Sequence, residues 1–171
     1  EKLELKELKV RSFDNLTLYG YLLEGNPKEV VICVHGYKSS MQEDFADRIE
    51  IYRKRGSTVL LLNDRAHGKS EGTYLGFSEH DRRDVAKWVD LINEMYDDPK
   101  IYLHGVSMGA AAVMMTSGDP LPDYVRCFVE DCGYSSVRGQ FAHNLKQTFP
   151  FIPRDVLNSA SIVCKNRYGW C

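Results

Sequence analysis

The pattern on which chemistry can be built is Ile101-Tyr102-Leu103-His104-Gly105-Val106-Ser107-Met108-Gly109-Ala110-Ala111-Ala112. A short apolar run precedes a Gly-x-Ser-x-Gly core, and an Ala- and Met-rich stretch follows it. Together they predict a strand that turns sharply into a helix. A β-carbon at Gly105 or Gly109 would strike the neighbouring strand or helix, so the tight turn needs both glycines. Ser107 is then left at the apex in strained geometry with its hydroxyl exposed. The helix begins just beneath it and aims the Met108 N–H at whatever the serine attacks. The chemistry would be nucleophilic attack by a serine oxygen. The same spacing in a loop is only a glycine-rich turn with a surface serine. The strand before and the helix after distinguish the two.

The surrounding elements must hold that turn. Residues 3–10 alternate apolar and charged side chains (Leu3, Leu5, Leu8, Val10), Asp14-Asn15 turns the chain, and residues 16–23 return, which predicts a hairpin of half-exposed antiparallel strands. Gly25-Asn26-Pro27-Lys28 breaks it. Val30-Val31-Ile32-Cys33-Val34 is a continuous apolar run, as expected of a strand buried on both faces of a parallel sheet, and His35-Gly36-Tyr37 follows directly. Residues 42–55 carry Phe45, Ile49 and Tyr52 at helical spacing and stop at Gly56; residues 58–62 are the next buried strand. A loop rich in Gly, Asp, Ser and His spans residues 63–76. Ser78 is the expected N-cap of a helix with a buried stripe of Val85, Trp88, Val89, Ile92 and Met95.

Residues 125–129 read as a further buried strand, ending at Glu130-Asp131-Cys132-Gly133. This alternation predicts an α/β fold, a mostly parallel sheet with flanking helices. Residues 135–148 and 153–168 read as amphipathic helices with no strand after them. The expected organisation is therefore a sheet-containing part at 1–133 and the beginning of a helical lid or cap at 134–171. No internal repeat or low-complexity segment is seen.

Composition excludes several classes. The chain has 171 residues, is 43% hydrophobic and 27% charged, and carries a net charge of −2. That fits a globular domain with a sizeable core. It offers no basic excess for nucleic acid. There is no run of eighteen apolar residues to span a membrane. The five cysteines (Cys33, Cys127, Cys132, Cys164, Cys171) are odd in number and irregular in spacing. Small buried hydrophobes in a reducing, cytoplasmic compartment are expected, Cys33 and Cys127 lying in apolar runs. No Cys/His pattern has zinc-site spacing, and no metal or cofactor is called for. Gly68-Lys69-Ser70 follows a strand, but a phosphate loop wants glycine where Asn63 stands.

Three motifs fall in a fixed order, each after a strand: Val34-His35-Gly36-Tyr37, then Asn63-Asp64-Arg65-Ala66-His67-Gly68-Lys69-Ser70, then Gly105-Val106-Ser107-Met108-Gly109. With Asp131-Cys132-Gly133-Tyr134-Ser135-Ser136, the chain resembles the α/β-hydrolase superfamily, and in wording its bacterial serine-esterase-like branch. The resemblance covers nearly the whole chain. It implies a serine hydrolase that forms an acyl-enzyme on Ser107. It also implies an oxyanion hole made by the N–H groups of Tyr37 and Met108, with Gly105 and Gly109 as the elbow glycines.

The same resemblance implies a triad in the order Ser, Asp or Glu, His, and here the sequence departs from the pattern. After Ser107 the only histidine is His143, within a lid-like helix. Asp131 stands at a strand end, where some lipases of the superfamily place their acid. Asp131 and His143 would keep the order. A turn or cap role for Asp131 weighs against the pair, as does the need for His143 to fold back over the elbow. A full fold of this kind needs roughly 200–250 residues. The expectation is an incomplete N-terminal portion without the C-terminal strands, its acid and base lying beyond residue 171.

The remaining histidines have structural readings. His35 shapes the oxyanion loop, His67, Arg65 and Asp64 tie down their own loop, His104 is a satisfied core histidine, and His80 is a solvated helix position. Two functions stay open. One is a serine hydrolase for small-molecule carboxylic esters or related acyl compounds, lid aromatics pointing to an apolar or aromatic group, with peptide or thioester cleavage as variants. The other is a non-catalytic hydrolase-fold binding module. Association through an open sheet edge would favour the second.

Overall fold

The apolar run at residues 30–34 has no side to turn to water, and the chain places it in the middle of a sheet. The computed structural model describes residues 4–168. Its strands are β1 (Lys6–Arg11), β2 (Thr17–Leu23), β3 (Asn26–Val34), β4 (Ser57–Asn63), β5 (Lys100–Val106) and β6 (Val125–Asp131). The helices are α1 (Met41–Lys54), α2 (Asp81–Met95), α3 (Met108–Ser117), α4 (Val137–Thr148) and α5 (Val156–Tyr168). The strands lie in the order β1-β2-β4-β3-β5-β6. β1 with β2 and β2 with β4 are antiparallel; β4 with β3, β3 with β5 and β5 with β6 are parallel.

Alternation along β3 divides the core. Val30, Ile32 and Val34 pack with Leu60, Leu62 and Leu103 and with Val85, Trp88, Ile92 and Val113 from α2 and α3. Val31 and Cys33 pack with Val59, Leu61 and with Met41, Phe45 and Ile49 of α1. Helices thus cover both faces of the parallel part, which is why its strands carry no polar alternation. Contacts divide the chain into two compact units, residues 1–133 and 134–171. Among the described residues the first holds all six strands with α1 to α3, and the second holds α4 and α5.

Several local expectations change. The hairpin ends at Leu23, before Gly25, but the Asn-Pro-Lys part of the break belongs to the next strand: β3 starts at Asn26, with a register shift against β4 between Asn26 and Val30. Ser78 does not cap α2. His80 stands at the N-cap, because the Ser78 hydroxyl is spent on the Met108 carbonyl. His80 is half-buried rather than solvated: its ring meets Phe13 and Tyr74 edge-on, and its Nδ1 lies 3.2 Å from Arg65 Nη1. β6 is not a buried strand. Among the described residues it is the last strand of the sheet, and Phe128 and Val129 are 38% and 42% exposed. Cys127 is likewise exposed, whereas Cys33 is buried. An apolar run records what could be buried; whether a neighbour covers it is decided elsewhere. Residues 135–148 and 153–168 are helical as expected, as α4 and α5. Leu3 and Cys171 lie outside the described residues.

Candidate active site

Ser107 sits between the end of β5 and the start of α3 with φ 54° and ψ −112°, a region that costs a non-glycine residue energy and persists only when its surroundings enforce it. The surroundings are backbone. A β-carbon on Gly105 would run into the Gly109 carbonyl, and one on Gly109 into the Val34 carbonyl, so β3, β5 and α3 meet with no side chain between them. The Ser107 N–H donates to the Asp131 carbonyl of β6 at 2.8 Å. Met108 is the first residue of α3, so its N–H is among the four that a helix leaves without an intrahelical acceptor, at the positive end of the dipole.

The loop after β3 reaches the same point. A β-carbon on Gly36 would stand 3.2 Å from Ser107 Cβ. The Gly36 N–H donates to Asp44 Oδ2 at 2.7 Å, the Ser39 hydroxyl to Asp44 Oδ1 at 2.8 Å, and the Ser39 N–H to the Gly36 carbonyl at 3.2 Å. Tyr37 is half-exposed, and its ring stacks on Phe77 with centroids 6.0 Å apart. His35 is buried. Its Nε2 accepts the Asp64 N–H at 3.3 Å and its Nδ1 lies 2.9 Å from the Gly36 carbonyl, which selects the neutral tautomer with the proton on Nδ1. Burial holds its pKa below the usual histidine range.

Behind the elbow lies a buried polar network. Arg65 is 1% exposed and grips Asp84 through Nε at 2.7 Å and Nη2 at 2.9 Å, and Asp14 through Nη1 at 3.0 Å. Burial alone would lower the guanidinium pKa; the two carboxylates outweigh it and raise it. Asp64 is driven well above the carboxylate range by burial, with Asp84 and Asp44 adding to the effect. Burial, with Asp64 adding to it, pushes Asp81 to about 7. Asp81 Oδ2 accepts the Ser78 N–H at 2.6 Å, and the Ser78 hydroxyl donates to the Met108 carbonyl at 3.0 Å. His67 Nδ1 lies 3.0 Å from the Arg65 carbonyl, and the Ser70 hydroxyl donates to the Asn63 carbonyl at 2.7 Å. The second motif is thus built as a scaffold, and Lys69 is paired with Glu7.

The structure brings Gly36, Tyr37, Gly105, Ser107, Met108 and Gly109 together, and it adds Asp131 by its backbone. The Asp131 carboxylate itself is paired with Arg48 of α1. His104 is buried with Nδ1 2.6 Å from the Tyr52 hydroxyl. His143 belongs to the second unit, exposed, with Nε2 2.9 Å from Gln147 Nε2. Among the described residues no histidine is hydrogen-bonded to the Ser107 hydroxyl, and no three His, Cys, Asp or Glu side chains are grouped to hold a metal. Sequence reasoning missed Asp44, Arg48 and the Ser78–Asp81 pair. An acidic residue in the first turn of the helix after His-Gly was the available signal for Asp44.

A mixed sheet whose parallel part is covered on both faces, with a strained serine at a strand-to-helix elbow, defines an α/β hydrolase. Residues 25–132 match the family model described as Serine aminopeptidase, S33, and the chain belongs to that family. Pyrococcus furiosus esterase Pf2001 is similar in structure, with a TM-score of 0.76 and 27% identity over 88% of this chain and 60% of that one. XC6422 from Xanthomonas campestris, described as a serine hydrolase without lid, shares the fold at 18% identity and a TM-score of 0.61, covering 69% of this chain and 57% of its own. The Bacillus subtilis (strain 168) protein YqkD is 26% identical over 160 residues, 89% of this chain and 52% of its own length. The chain therefore spans about half the length of that curated relative.

Proposed function

We propose that the chain supplies the nucleophile and the oxyanion amides of a serine hydrolase that cleaves carboxylic esters or related acyl bonds. Ser107 Oγ attacks the acyl carbonyl and loses its proton to a base. The Tyr37 and Met108 N–H groups hold the resulting oxyanion. The alcohol leaves with a proton, and water then releases the acid from the Ser107 ester. The observation that carries this reading is the strained Ser107 backbone at the first turn of α3, with Gly36 against its side chain. The esterase Pf2001 supports the ester as substrate, and the half-exposed Tyr37–Phe77 stack supports an apolar acyl group. Peptide and thioester cleavage would use the same groups. We propose residues 134–171 as the beginning of a lid. The base is assigned to none of residues 4–168.

The test is fluorophosphonate labelling of the full-length protein beside Ser107→Ala, with p-nitrophenyl acetate and butyrate as substrates. Labelling and turnover that vanish in the variant are expected. A folded protein that is never labelled would overturn the reading. It would favour the second one, a binding module that associates through β6, which the exposed Phe128 and Val129 on an edge strand support. That module would show concentration-dependent sedimentation, abolished by Val129→Lys.

A further inference from the structure

We propose that Asp44 is the positioning residue of the oxyanion loop: its carboxylate clamps both ends of the turn that carries the Tyr37 amide, a role that rests on reading Ser107 as the nucleophile. The turn runs from Gly36 to Ser39 and is closed by the Ser39 N–H donating to the Gly36 carbonyl at 3.2 Å. Tyr37 and Lys38 occupy its two central positions, and Lys38 has φ 52°, a left-handed value that lysine adopts only under constraint. Asp44 supplies the constraint. One carboxylate oxygen accepts the N–H of the first turn residue and the other accepts the hydroxyl of the last, at 2.7 and 2.8 Å. The Ser39 N–H bond to the Gly36 carbonyl orients the Gly36–Tyr37 peptide, and the Asp44 carboxylate holds the two residues that make that bond, and with them the direction of the Tyr37 N–H.

A helix-capping role does not account for these bonds. The N-cap of α1 is Ser40, whose Oγ accepts the Glu43 N–H at 3.3 Å and donates to Glu43 Oε2 at 3.0 Å. The Ser40 hydroxyl therefore caps the helix without Asp44. Both Asp44 oxygens are spent on the loop instead. The same helix turn also reaches the elbow. Arg48 donates to the Asp44 carbonyl and to the Asp131 carboxylate, and the Asp131 carbonyl accepts the Ser107 N–H. Asp44 therefore stands at the junction of a continuous path between the loop and the nucleophile.

The test measures kcat and KM for p-nitrophenyl butyrate and the fluorophosphonate labelling rate in the full-length protein. The variants are Asp44→Asn, Asp44→Ala and Ser107→Ala, with Asp47→Asn, an exposed position on the same helix, as control. Outright loss of one oxyanion donor costs about 10²–10³ in kcat, so misdirecting one is expected to cost about 10-fold in Asp44→Asn and about 100-fold in Asp44→Ala, with KM within about 2-fold. Asn keeps one acceptor and the side-chain volume, which makes it the variant that folds. Rates are taken per folded molecule, from the circular dichroism melt. Asp44 variants at wild-type kcat, with Ser107→Ala inactive, overturn the clamp alone. A loss that disappears on correction for folded fraction also overturns it. Ser107→Ala that retains labelling overturns the nucleophile reading and the clamp with it.

Discussion

Gly36 and Ser107 face each other with no room between them: a β-carbon on Gly36 would stand 3.2 Å from Ser107 Cβ, 3.3 Å from Asp44 Oδ2 and 3.4 Å from the Val106 carbonyl. The two residues follow different strands, β3 and β5, so this contact joins the loop after β3 to the elbow. Glycine is what lets the backbone come that near.

Gly36→Ala should act on turnover rather than on folding. The methyl group forces Ser107 or the loop to move by a few tenths of an ångström, and misplacement of reacting groups is costly in rate. We expect kcat for p-nitrophenyl butyrate to fall about 10- to 100-fold, with a melting temperature within a few degrees of wild type. A melting temperature that collapses while the remaining folded protein keeps its kcat would contradict this.

Gly109→Ala should act on folding. Its β-carbon would meet the Val34 backbone carbonyl, which no side-chain rotation can relieve. Overpacking against backbone should cost about 3 kcal/mol or more. Gly118→Ala, by contrast, meets only the Met115 carbonyl at 3.5 Å, and should change stability by less than about 1 kcal/mol. Urea unfolding of the pair reads the difference; equal midpoints would refute the argument.

Arg65 is the buried cation on which Asp84 depends. Arg65→Met leaves Asp84 buried and unpaired, and removing one partner of a buried ion pair costs about 3–5 kcal/mol. Arg65→Lys keeps the charge but loses the two-pronged grip on Asp84, at 2.7 and 2.9 Å, and should lie between the two. Chemical denaturation orders the three proteins, and Lys equal to wild type would show that charge alone matters.

Asp81 should make stability depend on pH. Its folded pKa of about 7 lies above the ordinary 3.8, so the folded state holds this proton where the unfolded chain has lost it. Stability is then lost as pH rises from about 4 to about 7, and the loss is complete above that. Asp64, raised in the same direction, adds to the trend. Asp81→Asn removes the Asp81 part. Relative to wild type, the variant should be more stable at pH 8 than at pH 5, by a margin on the order of a few kcal/mol at most. Melts at both pH values measure it, and an equal offset at the two would exclude the linkage.

Much of this architecture is written in consecutive residues. The unbroken apolar run at 30–34, and the run at 58–62 that is apolar after Thr58, predicted buried strands, and β3 and β4 are those strands. Gly105-Val106-Ser107-Met108-Gly109 predicted the strand-to-helix turn because every constraint on it, two glycines and a helix start, is local. The apolar run at 125–129 misled for the opposite reason. Its composition is that of a covered strand, yet among the described residues β6 pairs with β5 alone and Phe128 and Val129 are exposed. Ser78 misled because a cap residue is recognised by sequence position, whereas its hydroxyl is claimed by Met108, 30 residues away.

The sequence by itself determined the elements, the α/β class, and a serine held at an elbow with the Met108 amide beside it. Periodicity and glycine spacing are properties of neighbours in the chain, and each follows from sterics and burial within one element. Only the tertiary structure decided what supports that serine. Asp44 on the Gly36 turn, Arg65 between Asp84 and Asp14, and Arg48 reaching Asp131 across 83 positions are pairings set by the order β1-β2-β4-β3-β5-β6. A charged residue in a helix or loop carries no mark of its partner until the sheet order brings the two elements together; for Arg65 and Asp84, both buried, the bond forms because neither group can be left unpaired away from water.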